Sequence, residues 1–473
     1  MTDEGDDLTL HNIQVLLEAQ GHLAPPRPFH YLDFPFTVLE GASKVGATLT
    51  HFRKTQAHLY ISIHDSQGFR GNRMNLADKG KVVTDLWVAP DCASPGALPG
   101  GLPDGLWRVQ LDCDQLTEET DYQLIVYVEY GQAPQPVVLD HSRFPAVNHQ
   151  PDWYKGELHA HSTESDGKHS VGEMVALAQD AGLDFFTLSD HFTCSQWHKL
   201  PRNNQARFAL LHSLEITSHH GHANLHGLDK WVDVFVDRPG WDMNEAANSV
   251  HAQGGLFCIN HAFSMECSWR SFDFDWDKAD LIEIYHNLEG PNNHYQLGLW
   301  DRLLVGGHRI IGVAGTDCHN VNNKNHKLGD LVTWVYADEL GEGGIIDALR
   351  RGRVYVSRGG EMRFWAENNN GRRAEIGEAL PCAESPVVFK VQVNTQRDLR
   401  MYVVKNGLYF KRIFVPASDS WQTVEFSDHP NRSSYYRLEF HRVYLDQNFP
   451  GIEWRDFSTT EMLSNPIWLT QNS

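Results

Sequence analysis

Two histidines two residues apart, His159 and His161, end the run Gly156-Glu-Leu-His-Ala-His161. On a strand both would point to one face, where a single metal ion can take both. Asp317 and His319 repeat that spacing after the run Arg309–Ala314. Other imidazoles and carboxylates close further strand-like runs: Asp190-His191 after Leu183–Ser189, Glu215 after Leu210–Leu214, and His261 after Leu256–Asn260. Asp166 lies in Ser165-Asp-Gly167, a turn that can fold its carboxylate back, and His222 lies in Gly221-His-Ala-Asn224. The six histidines and three carboxylates form a nitrogen–oxygen donor set, which suits zinc, manganese or iron rather than copper(I) or calcium. They can serve two or three divalent ions if one carboxylate bridges. Water bridging such ions has its pKa lowered to roughly 7, so the expected chemistry is hydrolysis by a hydroxide.

One histidine at a strand end is ordinarily polar surface, and a lone Asp-His pair means almost nothing. The joint pattern carries the reading, because separate runs each end in a ligand-type residue. Seventeen of the 27 histidines lie in residues 151–330, which places the chemistry in the middle of the chain.

The elements that must position these residues change along the chain. Residues 1–150 read as β: Ala57–His64 and Asp121–Val128 alternate, with turn signals at Asp65-Ser-Gln-Gly68 and Ala93–Gly105. An N-terminal β-sandwich-like domain is expected there. In residues 151–360 strands alternate with helices. Ser170 with Glu173 opens one helix and Gly182 closes it; Asp242 with Glu245 opens another, which ends at Gly254-Gly255. A third helix is expected near His294–Val305, and Leu281–Tyr285 reads as a strand. This alternation predicts an α/β domain with a parallel sheet, and a TIM-like barrel would gather its site at the strand C-termini. Residues 361–473 return to β alternation, as in Val387–Val393 and Ser434–Phe440, and predict a C-terminal β-rich domain.

The length of 473 residues suits two or three domains. The net charge of −21 argues against nonspecific nucleic-acid binding and against anionic membranes. It leaves an anionic small-molecule substrate open, because bound dications reverse the local field. No apolar run is long enough for a membrane span, and the acidic start Met1–Asp7 lacks a secretory pattern, so a cytoplasmic location is expected. The seven cysteines are odd in number and scattered, with no CxxC, which disfavours a disulfide framework or a thiolate zinc site.

At these residues the sequence resembles the PHP (polymerase and histidinol phosphatase) family. The resemblance rests on His159-Ala-His161 followed by Ser162, Ser165-Asp-Gly167, Ser189-Asp-His191, Glu215 with Gly221-His222, Asn260-His261, and Gly315-Thr-Asp-Cys-His319. The flanking β-regions are similar to the carbaryl-hydrolase-like branch. The resemblance implies a distorted (β/α)7 barrel that binds up to three metals. It implies His159, His161, Glu215 and Asp317 on the first ion. Glu215 would bridge to a second ion held with His222 and His261, and Asp166, His191 and His319 would hold a third. Family members can carry histidine near the position of Asp166. His219 and His220 are neighbours that could replace His222, which the family's Gly-His element favours.

The resemblance also implies phosphoester hydrolysis. Asp190 is a candidate for the proton donor to the leaving group, with an orienting role beside a ligand histidine as the alternative. Arg202, Arg270 and Arg358 are candidates for binding phosphate, each also readable as surface or interdomain structure. Tyr355–Gly360 is glycine-rich and could approach a ligand. The same metal centre could serve a carboxyl-ester or carbamate hydrolase, and Trp197, Trp269 and Phe263 would then matter as an aromatic pocket. A noncatalytic binding module with structural metals is the third reading. The β-domains are candidates for restricting access, binding a partner or mediating homo-oligomer assembly.

Overall fold

Alternation in the N-terminal stretch is realised as β1 (Asn12–Leu23), β2 (Tyr31–Val38), β3 (Ala42–Arg53), β4 (His58–Asp65), β5 (Gly68–Arg73), β6 (Gly80–Val88), β7 (Gly105–Asp114) and β8 (Thr120–Tyr130). The computed structural model describes residues 12–25, 31–53, 58–76, 79–114, 116–202, 208–236, 238–265, 267–287, 290–323, 327–382, 386–445, 453–454 and 460–471. Ala57 and the acidic start Met1–Asp7 lie outside these residues. The chain divides into two units: Met1–His141 with Ser162–Ser170 and Asp190–Lys199, and Ser142–His161 with Val171–Ser189 and Leu200–Ser473.

In the first unit the strands form two four-stranded antiparallel sheets, ordered β1-β8-β3-β6 and β2-β7-β4-β5. Every second residue of β3 from Val45 (Val45, Ala47, Leu49) is buried, against Leu124 and Val126 of β8 and Leu59, Ile61, Val109 and Leu111 of the other sheet. The two sheets share this core. Each of these valine, leucine and isoleucine side chains contributes about 1.5–3 kcal/mol by leaving water. Trimming Leu111 to alanine would cost about 2–5 kcal/mol.

The second unit holds β9 (Asp152–Glu157), α1 (Val171–Asp180), β10 (Phe185–Leu188), β11 (Ala209–Ser218), β12 (Gly221–His226), α2 (Met243–Ala252), β13 (Leu256–Ile259), β14 (Leu281–His286), α3 (Asn293–Gly306), β15 (Ile311–Gly315), β16 (Val332–Ala337), α4 (Glu342–Arg350) and β17 (Val354–Ser357). The helix signals act where the sequence puts them. Asp242 accepts from the amides of Asn244 and Glu245 at the start of α2. Past α1, Gly182 takes φ 69° while the Leu183 amide bonds the Ala178 carbonyl.

The sheet departs from the expected (β/α)7 barrel. Its order is β15-β14-β13-β12-β11-β10-β9-β16-β17, and it continues into C-terminal strands. The pairs β9/β10, β10/β11, β13/β14 and β14/β15 are parallel, but β11/β12, β12/β13 and β9/β16 are antiparallel. The physical reason is the turn His219-His220: two residues can join only antiparallel neighbours, so no helix intervenes. The described residues contain four α-helices. Among the described residues no ladder closes the sheet; the segments after β9 and β15 meet through the isolated bridge of Ala160 with Cys318.

Past β17 the sheet runs through Thr460–Ser464, Ser434–Arg442 and Leu399–Lys405 to Leu408–Val415. A second sheet of Arg373–Glu375, Glu361–Glu367, Val387–Thr395 and Ser418–Asp428 shares its core, with Phe364, Phe389 and Val391 among the same buried cluster as Met401, Val403 and Phe440. No helix among the described residues is long and apolar enough to cross a membrane.

Candidate metal centre

Glu215 is the hub of the second unit's polar cluster. It lies within β11, which runs on to Ser218 rather than ending at Leu214 as the sequence suggests. In the hairpin His222 is paired with Thr217, so Glu215 and His222 share a face as diagonal neighbours. Their closest atoms, Oε1 and Nδ1, stand 3.1 Å apart. The same oxygen is 3.5 Å from His159 Nε2 and 3.8 Å from His261 Nε2, and Oε2 is 3.5 Å from His161 Nε2. Glu215 therefore belongs to two groups of possible metal ligands, His159–His161–Glu215 and Glu215–His222–His261. Asp317 Oδ1 adds a second carboxylate, 2.9 Å from His161 Nε2 and 3.4 Å from His159 Nε2. His319 stacks on His161 with centroids 4.2 Å apart, and its Nδ1 lies 3.3 Å from Asp317 Oδ1.

Surrounding groups hold these side chains. Asn260 donates to Glu215 Oε1 at 2.8 Å. Glu283 Oε1 stands 2.7 Å from His159 Nδ1, and its Oε2 accepts the His261 amide at 2.8 Å. Gly315 makes room for it, because a Cβ there would stand 1.9 Å from Glu283 Oε1. Glu157 Oε1 accepts the amides of His159 and Thr316, tying the two ligand-bearing turns together. Burial pushes the Glu157 carboxyl up to about 7. His261 and Asp317 have left-handed backbones, φ 21° and 51°, which side chains bearing a Cβ rarely adopt. Ligands thus sit where the chain is bent sharply. The cluster is most open at His319 and Asp317, whose side chains are 24% and 15% exposed.

Asp166 and His191 fall in the first unit. Their Oδ1 and Nε2 are 3.6 Å apart. The segments that carry them are anchored to the sandwich. Arg73 at the end of β5 donates to the carbonyls of Thr163 and Ser165, at 2.9 and 3.0 Å. Glu164 accepts from Lys199, Ser195 and the Gly96 amide, and Thr193 donates to the Gly96 carbonyl. Asp190 is buried and accepts from the amide and hydroxyl of both Ser162 and Ser165, at 2.7–3.2 Å. Burial pushes its carboxyl up to about 6, against those hydrogen bonds.

Among the candidate arginines, Arg358 donates to Asn287 at 2.6 Å and lies over the Tyr285 ring, so it stands at the end of β14. Arg270 is exposed and donates to Ser268. Arg202 donates to the Ser142 carbonyl and covers the Phe144 ring. Several middle histidines serve the fold: His212 bonds Glu342, and His226 bonds Ser213. Burial lowers the His226 pKa to about 3.

Sequence reasoning missed Glu283 and His286. Both lie on β14, where alternation suggested only a core strand. The test already applied to the other runs, a ligand-type residue closing a strand, would have found His286.

The donor set fits divalent cations. Glu215, Glu283 and Asp317 place three carboxylates in a nearly dry site. Burial opposes ionisation of Asp317, but the charges of His159, His319 and His161 hold its carboxyl well below the usual range. Burial also opposes charge on His159, yet Glu283, Asp317 and Glu215 raise its pKa well above the ordinary value. The site demands positive charge. His159 Nε2, His261 Nδ1 and both ring nitrogens of His286 are buried without a hydrogen-bond partner, and a cation would satisfy one nitrogen of each ring.

No protein-family model matches the chain, and no curated protein matches it. Among solved structures the chain is similar to a two-domain protein containing a predicted PHP-like metal-dependent phosphoesterase from Bacteroides vulgatus ATCC 8482. The identity is 16%, over 68% of this chain and 99% of that one, with a TM-score of 0.39. It is also similar to PsfC from Pseudomonas syringae PB-5123, at 14% identity over 39% of this chain and 82% of that one, with a TM-score of 0.32. At these values neither likeness carries a functional reading, which rests on the residues themselves.

Proposed function

We propose that the chain is a metal-dependent hydrolase of the PHP kind that cleaves a small phosphorylated substrate. The observation that carries the reading is Glu215, shared between two groups of buried ligands, with Oε1 beside His159, His222 and His261 and Oε2 beside His161. Zinc, manganese or iron ions bound there would lower the pKa of water to about 7 and offset the negative charge of a phosphate. His159, His161, Glu215 and Asp317 would hold one ion, and Glu215, His222 and His261 a second.

The chain's own groups perform the rest. Glu283 orients His159, and Asn260 orients Glu215. Of the three phosphate-binding candidates we favour Arg358, which meets the end of β14 through Asn287 and Tyr285. Asp190 holds the Asp166 turn through Ser162 and Ser165, which favours the positioning role over proton donation.

A carboxyl-ester or carbamate substrate is the second reading, favoured by one feature. Phe263, two residues after His261, pairs with Tyr295 at 5.8 Å, and both are exposed. Apolar rings there could receive an aromatic leaving group.

The test is hydrolysis of p-nitrophenyl phosphate and p-nitrophenyl acetate by metal-analysed protein, compared with His161→Ala. Metal-dependent release from the phosphate, lost in the variant, supports the phosphoesterase. Release from the acetate alone, lost in the variant too, selects the second reading. Turnover of neither by fully metallated protein counts against both for simple esters.

A further inference from the structure

We propose that His286 is a tenth metal ligand, an additional ring on the ion assigned to His159, His161, Glu215 and Asp317. The proposal rests on the metal-centre reading and is independent of which ester is cleaved.

The ring is 1% exposed, and neither nitrogen has a hydrogen-bond partner. A neutral imidazole carries an N–H at one nitrogen and a lone pair at the other, and a lone pair left unmatched in a dry site is costly. A resident cation would take that lone pair. One nitrogen from each of His159, His261 and His286 can be chosen so that all lie within 4.8 Å of one another. The His286 ring centroid is 5.1 Å from that of His261 and 5.9 Å from that of His159. His286 Nε2 is 3.7 Å from Asp317 Oδ2 and 4.0 Å from Glu283 Oε2, beyond hydrogen-bond reach of both. Ligand atoms about 2.1 Å from one tetrahedral ion stand roughly 3.4 Å apart, which is near the Asp317 separation.

The backbone is arranged to deliver this ring. In a regular strand Glu283 and His286, three apart, would point to opposite faces. Against β15, however, Glu283 pairs with Val313 and Tyr285 with Ala314, so Ile284 is an extra residue. Such a bulge re-aims the side chains that follow it, and it turns His286 to the side of Glu283. Asn293, the first residue of α3, then clamps the backbone of His286. Its Oδ1 accepts the His286 amide at 2.7 Å, and its Nδ2 donates to the His286 carbonyl at 2.9 Å. Both backbone groups are satisfied locally, which leaves the ring for another duty.

The competing account is that His286 only positions Asp317 by donating a hydrogen bond. Two variants separate the accounts. His286→Gln keeps a donor but is a poor ligand, and His286→Asp keeps a ligand but loses the donor. Metal per chain and zinc affinity would be measured on the full-length protein by elemental analysis and competition with a chromophoric chelator. Ligation predicts that His286→Asp retains the wild-type metal content. His286→Gln should lose one equivalent or bind it about 10–100-fold more weakly. Equal behaviour of the two variants, or better binding by His286→Gln, would overturn the proposal. If either variant lacks the wild-type circular dichroism spectrum, anomalous diffraction from the zinc-loaded wild-type protein decides. A zinc peak within about 2.3 Å of a His286 ring nitrogen is expected. Zinc peaks at His159 or His261 with none beside His286 would overturn it.

Discussion

Glu283 and His159 form a buried pair, with Oε1 of the one 2.7 Å from Nδ1 of the other. A carboxylate on one ring nitrogen fixes the tautomer, turns the other nitrogen toward the metal and raises its basicity. Glu283→Gln keeps the shape and removes the charge. Metal affinity should fall about 10–100-fold, as measured by chelator competition. Wild-type affinity in this variant would show that the pair does not tune the centre.

Arg73 holds the turn that carries Asp166. Its two hydrogen bonds hold the carbonyls of Thr163 and Ser165, on either side of Glu164 and just ahead of Asp166. Hydrogen bonds from a charged donor are worth about 1.5–3 kcal/mol each. Arg73→Ala should free the Asp166 turn and weaken the ion assigned to Asp166 and His191 by at least about tenfold. The ions at Glu215 should bind as before. Isothermal titration with manganese would resolve the classes, and an unchanged isotherm would detach Arg73 from metal binding.

Arg358 should act on substrate rather than metal. Removing a charge-assisted hydrogen bond to phosphate costs about 1.5–3 kcal/mol, or roughly 10–100-fold in kcat/KM. Arg358→Ala should lose that much on phosphate esters, with full metal content and little change on a neutral ester. Equal loss on both would mark a structural role at Asn287 and Tyr285.

Acid stability should depend on a pair far along the chain from the metal ligands. Burial opposes ionisation of Glu439, but Arg437 and then His441 hold its pKa below the ordinary 4.5. The folded state then binds fewer protons than the unfolded one. The stabilisation is present above about pH 4.5 and is lost as the pH falls through the folded value. Glu439→Gln should melt lower at pH 7, by about 1–3 kcal/mol, and should flatten the acid limb. An acid limb as steep as in the wild type would assign the loss to other carboxylates.

Seven of the nine expected ligands, His159, His161, Glu215, His222, His261, Asp317 and His319, belong to the second unit. Their separations there were foreshadowed by side-chain types at strand ends, because a strand end fixes direction locally. The helix caps at Asp242 and Gly182 were legible for the same reason. The barrel expectation failed at His219-His220, where histidines occupy a tight hairpin usually marked by Gly or Asn. His286 was missed because the strand reading stopped at Tyr285, one residue short of it, and the bulge at Ile284 concealed only that it shares a side with Glu283. Glu283 was hidden because its partner His159 is 124 residues away, beyond the reach of any periodicity. The anchoring of Asp166 by Arg73 is likewise a contact between distant segments.

The most direct test is to strip the protein with a chelator and titrate manganese back while following both bound metal and p-nitrophenyl phosphate hydrolysis. The account predicts no turnover by the stripped protein. It predicts recovery that saturates only when at least two equivalents are bound, and neither binding nor recovery of that kind in Glu215→Gln. Full turnover by verified metal-free protein, or wild-type metal binding and turnover in Glu215→Gln, would contradict it.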